Sequence, residues 1–261
     1  MSRSGCAILA GLVAVTLVGC GAAAPPGPTC AVLGTLYEFT GTQASHAATI
    51  AAVGEELGLP GRAVTIALAT ALQESGLRNL PYGDRDSLGL FQQRPSQGWG
   101  TSEQVTDPRY AAAAFFTALA ELPDWETQRL TDAAQAVQRS AFPEAYQQWE
   151  PRAQALTDAL TEPAAGLHCT IDEPSAPRVE REAALLAGVQ ADLGAAPTAT
   201  PDGTLTWAAG DRPWVLVNWL VAHADEFGLA AIAVAGRGWS AGEGWTDEPT
   251  AGANEITVQL A

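Results

Sequence analysis

The chain has 261 residues, 47% of them hydrophobic, and a formal charge of −16 at pH 7. That much apolar content supports a packed core and excludes a disordered chain. All 13 basic residues are arginine and none sits in a basic run, so the acidic surface repels polyanions and argues against nucleic acid as a partner.

Residues 1–19 begin with a short polar stretch containing Arg3 and continue in an apolar run from Cys6 to Val18. This is the pattern of a secretory signal and too short for an ordinary membrane span. Leu17-Val18-Gly19-Cys20 resembles a bacterial lipobox. The resemblance implies cleavage before Cys20, lipidation of its sulfur and a place in the cell envelope, anchored to the membrane by lipid; a plain signal peptide cut nearby is the alternative. Each buried methylene of such an anchor contributes about 0.8 kcal/mol. Residues 20–42 then read as a tether. With Cys6 removed and Cys20 lipidated, Cys30 and Cys169 remain, and an even pair in an exported chain is expected to form a disulfide, two free thiols being the alternative. Closing a loop of about 140 residues stabilises by roughly 5 kcal/mol on the chain-entropy view.

Residues 43–58, QASHAATIAAVGEELG, carry small and apolar residues at helical spacing until Leu59-Pro60-Gly61 interrupts them. A second helix starts near Arg62, and because Ile66 and Ala69 add a second apolar face to Val64, Ala67, Leu68, Ala71 and Leu72, it is expected to be buried on most sides. Residues 79–100 are dense in Gly, Pro, Asp and Ser and read as a long loop with at most a short hairpin. Helical spacing returns in RYAAAAFFTALAEL after Asp107-Pro108, in LTDAAQAVQRS and in AYQQWEPRAQALTDAL. Residues 161–205 read as a connector holding one helix, VEREAALLAGVQADLG. Residues 206–261 read as a small α/β module of unknown role: an amphipathic helix, WVLVNWLVAHADEFG, then strands in LAAIAVAG and ANEITVQLA. The expected fold is therefore mainly α, a helical domain over 43–160 with a small C-terminal α/β module.

The chemistry concentrates at residues 71–93, ALQESGLRNLPYGDRDSLGLFQQ. Glu74 ends an otherwise uncharged apolar helix, and a carboxylate there costs free energy unless it is paired, protonated or used. Glu74-Ser75-Gly76, the following Ser87-Leu88-Gly89-Leu90-Phe91-Gln92 and then Asp107-Pro108 resemble, in order and distance, the signature of the lysozyme-like lytic transglycosylases, the soluble-transglycosylase and goose-type-lysozyme family. The resemblance covers about residues 43–160 and implies a lysozyme-like domain acting on peptidoglycan glycan strands at the MurNAc–GlcNAc glycosidic bond, with Glu74 as general acid/base. Independently, protonating a glycosidic oxygen near neutral pH requires a carboxyl whose pKa burial has raised, and an apolar helix end does that; an exposed Glu in a last helical turn is the alternative.

In the loop, Ser87 is placed to bond the Glu74 carboxyl and Gln92 or Gln93 to offer an amide to a sugar N-acetyl group, with Leu90 and Phe91 packed beneath. Trp99 offers a stacking face or a loop anchor. Where the resembled family has a tyrosine that contacts the acid, this chain has Val137, in Ala136-Val137-Gln138; Tyr146, read as lying on the following helix, is the residue able to reach the acid. The substitution favours, as the alternative function, a lysozyme-like lipoprotein that holds peptidoglycan with weak or no cleavage. Asp84 and Asp86 open a fork: a second carboxylate activates water and gives hydrolysis, a lone acid uses the muramyl 6-hydroxyl and gives a 1,6-anhydro product, and the resemblance favours the lone acid. His46, His168 and His223 are scattered and no phosphate loop is present, so no metal and no cofactor is expected. Trp207, Trp214, Trp219, Trp239 and Trp245 read as the core of the C-terminal module, or else as a glycan-binding face.

Overall fold

A computed structural model describes residues 27–140, 142–200, 203–248, 252 and 254–261. The signal segment and Cys20 lie outside the described residues. The segment read as a tether holds two strands: β1 (Thr29–Val32) pairs antiparallel with β2 (Glu38–Thr40). Thr40 then caps α1 (Gly41–Glu56) in a reciprocal arrangement, its hydroxyl accepting from the Gln43 backbone N–H while the Gln43 side-chain Oε1 accepts from the Thr40 N–H.

α2 (Gly61–Ser75) follows, with every residue from Ala63 to Leu72 buried, as the two apolar faces of its sequence require. The long loop holds two isolated antiparallel bridges, Leu80 with Gly89 and Leu88 with Gln93, and a single 3₁₀ turn over Pro95–Gln97. Next come α3 (Ser102–Val105), α4 (Pro108–Ala120), α5 (Leu130–Gln138) and α6 (Glu150–Thr161). Asp107 starts α4 by accepting from the N–H groups of Arg109 and Tyr110, both at 2.9 Å, and Pro108 occupies the first turn, where its missing donor costs nothing.

The segment read as a connector contributes β3 (Leu167–Cys169), α7 (Arg178–Leu193) and β4 (Thr198–Ala199). β3 completes a three-stranded antiparallel sheet in the order β2-β1-β3, and Cys30 lies directly opposite Cys169 in that register, joined to it by a disulfide. β5 (Leu205–Ala208), α8 (Pro213–Ala222), α9 (Ala224–Phe227), β6 (Leu229–Val234), β7 (Arg237–Ser240), β8 (Gly244–Asp247) and β9 (Glu255–Leu260) finish the chain. They form, with β4, a six-stranded antiparallel sheet ordered β4-β5-β9-β6-β7-β8.

Two antiparallel sheets beside the helices make the fold mixed α/β rather than mainly α with a small appendix. The reason lies in α1, which is buried around nearly its whole circumference from Ala44 to Gly54 and is packed by α2, α4 and α6 as well as by α7, α8 and α9. Its alanines and glycine admit such close neighbours: a Cβ on Gly54 would stand 2.9 Å from Val64 Cγ2 and 3.2 Å from Phe116 Cζ. α8, expected to be amphipathic, is buried from Leu216 to Ala222 because α1, α6 and β3 cover one side and β6 another. Arg181 of α7 donates to the carbonyls of Ala176, Phe227, Gly228 and Ala261, tying the former connector to the last strand. The hydrophobic core is thus continuous from β1 to β9. Trp207, Trp219 and Trp239 belong to it, while Trp214 and Trp245 pack on its edge against each other with ring centroids 5.5 Å apart. Among the described residues no helix is long and apolar enough to cross a membrane.

Candidate active site

Each residue of Glu74-Ser75-Gly76 has a separate structural task. Gly76 adopts the left-handed conformation at φ 63° and closes α2, its N–H returning to Leu72 and the N–H of Leu77 to Ala71. Ser75 is buried and its hydroxyl donates to the Leu90 carbonyl at 2.7 Å, which pins the long loop to the end of α2. Glu74 is left half-buried in the last turn. The chain leaving α2 is held to α1 as well: Gln43 Nε2 donates to the Gly76 carbonyl at 2.8 Å and His46 Nδ1 bonds the Leu77 carbonyl at 2.8 Å.

The Glu74 carboxyl does not stand alone. The Tyr146 hydroxyl donates to its Oε1 at 2.6 Å from a ring that is fully buried. Burial raises the Glu74 pKa above the ordinary carboxyl range, and hydrogen bonds from Tyr146 and from the Gln138 side chain pull partly against it. Tyr146 is itself pushed up, by burial first and then by the neighbouring Glu74 charge, so its phenol remains a donor. Val137 is buried and faces the core. Tyr146 therefore makes the contact with the acid that position 137 lacks, from the segment between α5 and α6.

Gln138 is the participant that sequence reading passed over. Its Nε2 also donates to the Phe91 carbonyl at 2.8 Å, bridging the end of α5 to the loop. Its only signal in the sequence was its place beside Val137.

The loop residues divide. Leu90 and Phe91 are fully buried, and Phe91 stacks on Phe115 at 4.9 Å between centroids. Gln92, at φ 48°, turns its amide back on its own loop, Nε2 donating to the carbonyls of Tyr82 and Gly89. Gln93 points the other way: it is 2% exposed, its Nε2 donates to the Ala111 carbonyl at 3.0 Å, and its Oε1 has no partner among the described residues. It is a buried strut between loop and α4, not an amide offered to a sugar, because the Leu88–Gln93 bridge turns that position inward. Ser87 is buried, its N–H donates to the Asp84 carbonyl at 3.0 Å, and among the described residues its hydroxyl makes no hydrogen bond to Glu74. Trp99 is half-buried against the core.

The two loop aspartates differ sharply. Asp86 accepts from the Ser96 N–H at 2.8 Å and from Arg94 Nε at 2.7 Å, and these contacts hold its carboxyl well below the usual range. Asp84 is exposed, with only Arg85 at 3.9 Å. The site thus offers one carboxyl whose pKa burial raises, while Asp86 in the loop is bound by Arg94 and Ser96 so that its charged form is favoured. No protein-family model matches this chain, and no curated protein matches it significantly.

Proposed function

We propose that this chain is an exported, lipid-anchored enzyme that cleaves peptidoglycan glycan strands at the MurNAc–GlcNAc bond, with Glu74 as its general acid and base. The observation that carries the reading is the half-buried Glu74 at an apolar helix end, its pKa raised by burial and one oxygen held by Tyr146. In the forward step the protonated carboxyl gives its proton to the glycosidic oxygen as the bond to C1 breaks and positive charge spreads over the ring. The resulting Glu74 carboxylate then takes the proton of the muramyl 6-hydroxyl as that oxygen bonds to C1, which returns the acid to its starting state and yields a 1,6-anhydro end.

Asp86 is engaged by Arg94 and the Ser96 N–H, and Asp84 is exposed; this supports a lone acid over a pair that activates water. The second reading, a domain that holds glycan with weak or no cleavage, is favoured by Val137, since the tyrosine of the resembled signature is missing from that position. Glu74→Gln separates the two. Under the enzymatic reading muropeptide release falls by about 100-fold to 10,000-fold while the thermal midpoint holds. If wild-type protein releases nothing from purified sacculi yet still sediments with them, the second reading stands. Products heavier by one water than the anhydro form would point to hydrolysis.

A further inference from the structure

A cavity of about 540 Å³ lies away from Glu74, where α1 and the start of α4 face α7, α8 and α9. Its volume is in the range of small-ligand sites. Four carboxylates line it, Asp107, Asp192, Asp225 and Glu226, against a single guanidinium, Arg109. That guanidinium is already committed: Nη1 donates to Asp192 at 2.7 Å and Nη2 to Glu56 at 2.6 Å. Trp219 Nε1 and the Thr49 hydroxyl are likewise spent on Asp192, at 2.8 and 3.0 Å.

What remains open in the cavity accepts rather than donates. His223 is 5% exposed, and its Nδ1 bonds the Trp219 carbonyl at 2.8 Å. A nitrogen facing a carbonyl must carry the proton, so Nε2 is left as a lone-pair acceptor, and it has no partner among the described residues. His46 repeats the arrangement, with Nδ1 on the Leu77 carbonyl at 2.8 Å and Nε2 unpaired. Burial lowers the pKa of both imidazoles, which keeps them neutral. Glu226 is exposed to solvent, and its carboxyl makes no hydrogen bond or ion pair among the described residues; partial burial, then the charges of Asp192 and Asp225, raise its pKa. One wall is apolar: Trp219 stacks on His223 at 3.8 Å and on Phe227 at 5.9 Å between centroids.

From this imbalance we infer that the cavity binds an organic ammonium group, the NH₃⁺ donating to the His46 and His223 Nε2 atoms under the negative charge of the lining carboxylates, Glu226 among them, while its alkyl chain lies on the Trp219–Phe227 wall. An ammonium brings three donors and a positive charge, which is what a pocket of unpaired acceptors and surplus carboxylates lacks. A carboxylate or phosphate ligand would meet charge of its own sign. A bare metal ion fits less well, since among the described residues no three His, Cys, Asp or Glu groups converge closely enough to hold one.

The test uses the full chain with ¹³C-labelled histidine, titrated with n-butylammonium chloride at a pH above the imidazole range. The chain has three histidines; His168, on β3, lies outside the cavity lining and serves as an internal control. The expected result is saturable movement of the His46 and His223 ring signals with His168 still, a dissociation constant of about 1 mM or tighter, and no saturation with butan-1-ol or butyrate. Glu226→Gln should weaken binding by about tenfold, the equivalent of 1.4 kcal/mol. Absence of saturation by butylammonium, equal binding of the alcohol, or wild-type affinity in a folded Glu226→Gln protein would each overturn the proposal. If that variant does not fold, the ammonium-against-alcohol comparison on the wild type decides alone.

Discussion

Removing one oxygen atom, in Tyr146→Phe, tests how the Glu74 carboxyl is held. The ring is fully buried and keeps its packing, so the change isolates the 2.6 Å hydrogen bond to Oε1. A hydrogen bond to an ionised partner contributes about 1.5–3 kcal/mol, a neutral one about 1 kcal/mol. Because Glu74 is only half-buried, solvent screening places the charged bond near the lower end, about 2 kcal/mol. The folded pKa of Glu74 is raised, so its ionisation weakens the fold: the cost is absent below the unfolded carboxyl value of about 4.3 and grows as pH rises through the folded value. The Tyr146 hydroxyl reduces that cost, so its loss should be felt most once Glu74 ionises. Urea unfolding followed by tryptophan fluorescence should therefore show Tyr146→Phe destabilised by about 2 kcal/mol at about pH 9, where the carboxyl is ionised, and by about 1 kcal/mol or less near pH 3.5. An equal loss at both pH values, or a loss under about 0.5 kcal/mol at about pH 9, would show that the hydroxyl does not serve the carboxylate.

Three other outcomes are expected. Reducing Cys30–Cys169, which closes a separation of 139 residues, should cost up to about 5 kcal/mol and lower the thermal midpoint by roughly 10–15 °C; a drop below about 3 °C by scanning calorimetry contradicts it. Gln93→Leu should cost about 0.5–1.5 kcal/mol by removing its hydrogen bond to the Ala111 carbonyl, which keeps its partner within α4, while leaving affinity for glycan strands unchanged, and a selective loss of glycan binding with full stability would return Gln93 to the binding surface. A chain cut near Thr161 loses α7, α8 and α9 from around α1 and should fail to fold; a dispersed amide spectrum from such a fragment would refute the continuity of the core.

The sequence displayed the helices and the two six-residue strands β6 and β9, and concealed the rest of the sheets, for physical reasons. α1, α2, α4, α5 and α7 repeat small and apolar residues at spacings of three and four over nine or more residues, long enough for a period to be seen. β1, β2 and β3 have three or four residues each, too few to show alternation, and the β1–β3 pairing joins residues far apart in sequence. β7 and β8 went unread because each has four residues with one tryptophan as its only large apolar side chain, too little to show alternation. At the site, Glu74 was legible because an isolated charge at an apolar helix end demands an account. Tyr146 was legible only as a residue able to arrive. The inward turn of Gln93 was not legible, since it depends on a two-residue bridge whose register no spacing announces.

Gln43 carries a consequence for how this sequence is free to drift. Its carbonyl oxygen closes the cap of α1 on the Thr40 N–H at 2.9 Å, and its amide nitrogen reaches the Gly76 carbonyl at 2.8 Å, just past Glu74. Glutamate completes a helix cap as well as glutamine does. At this position it would serve the cap and set a carboxylate oxygen against a carbonyl oxygen at the other end. A replacement that is ordinarily silent is thus barred here by a residue 33 positions away, and the start of one helix inherits its constraint from the end of the helix that bears the acid.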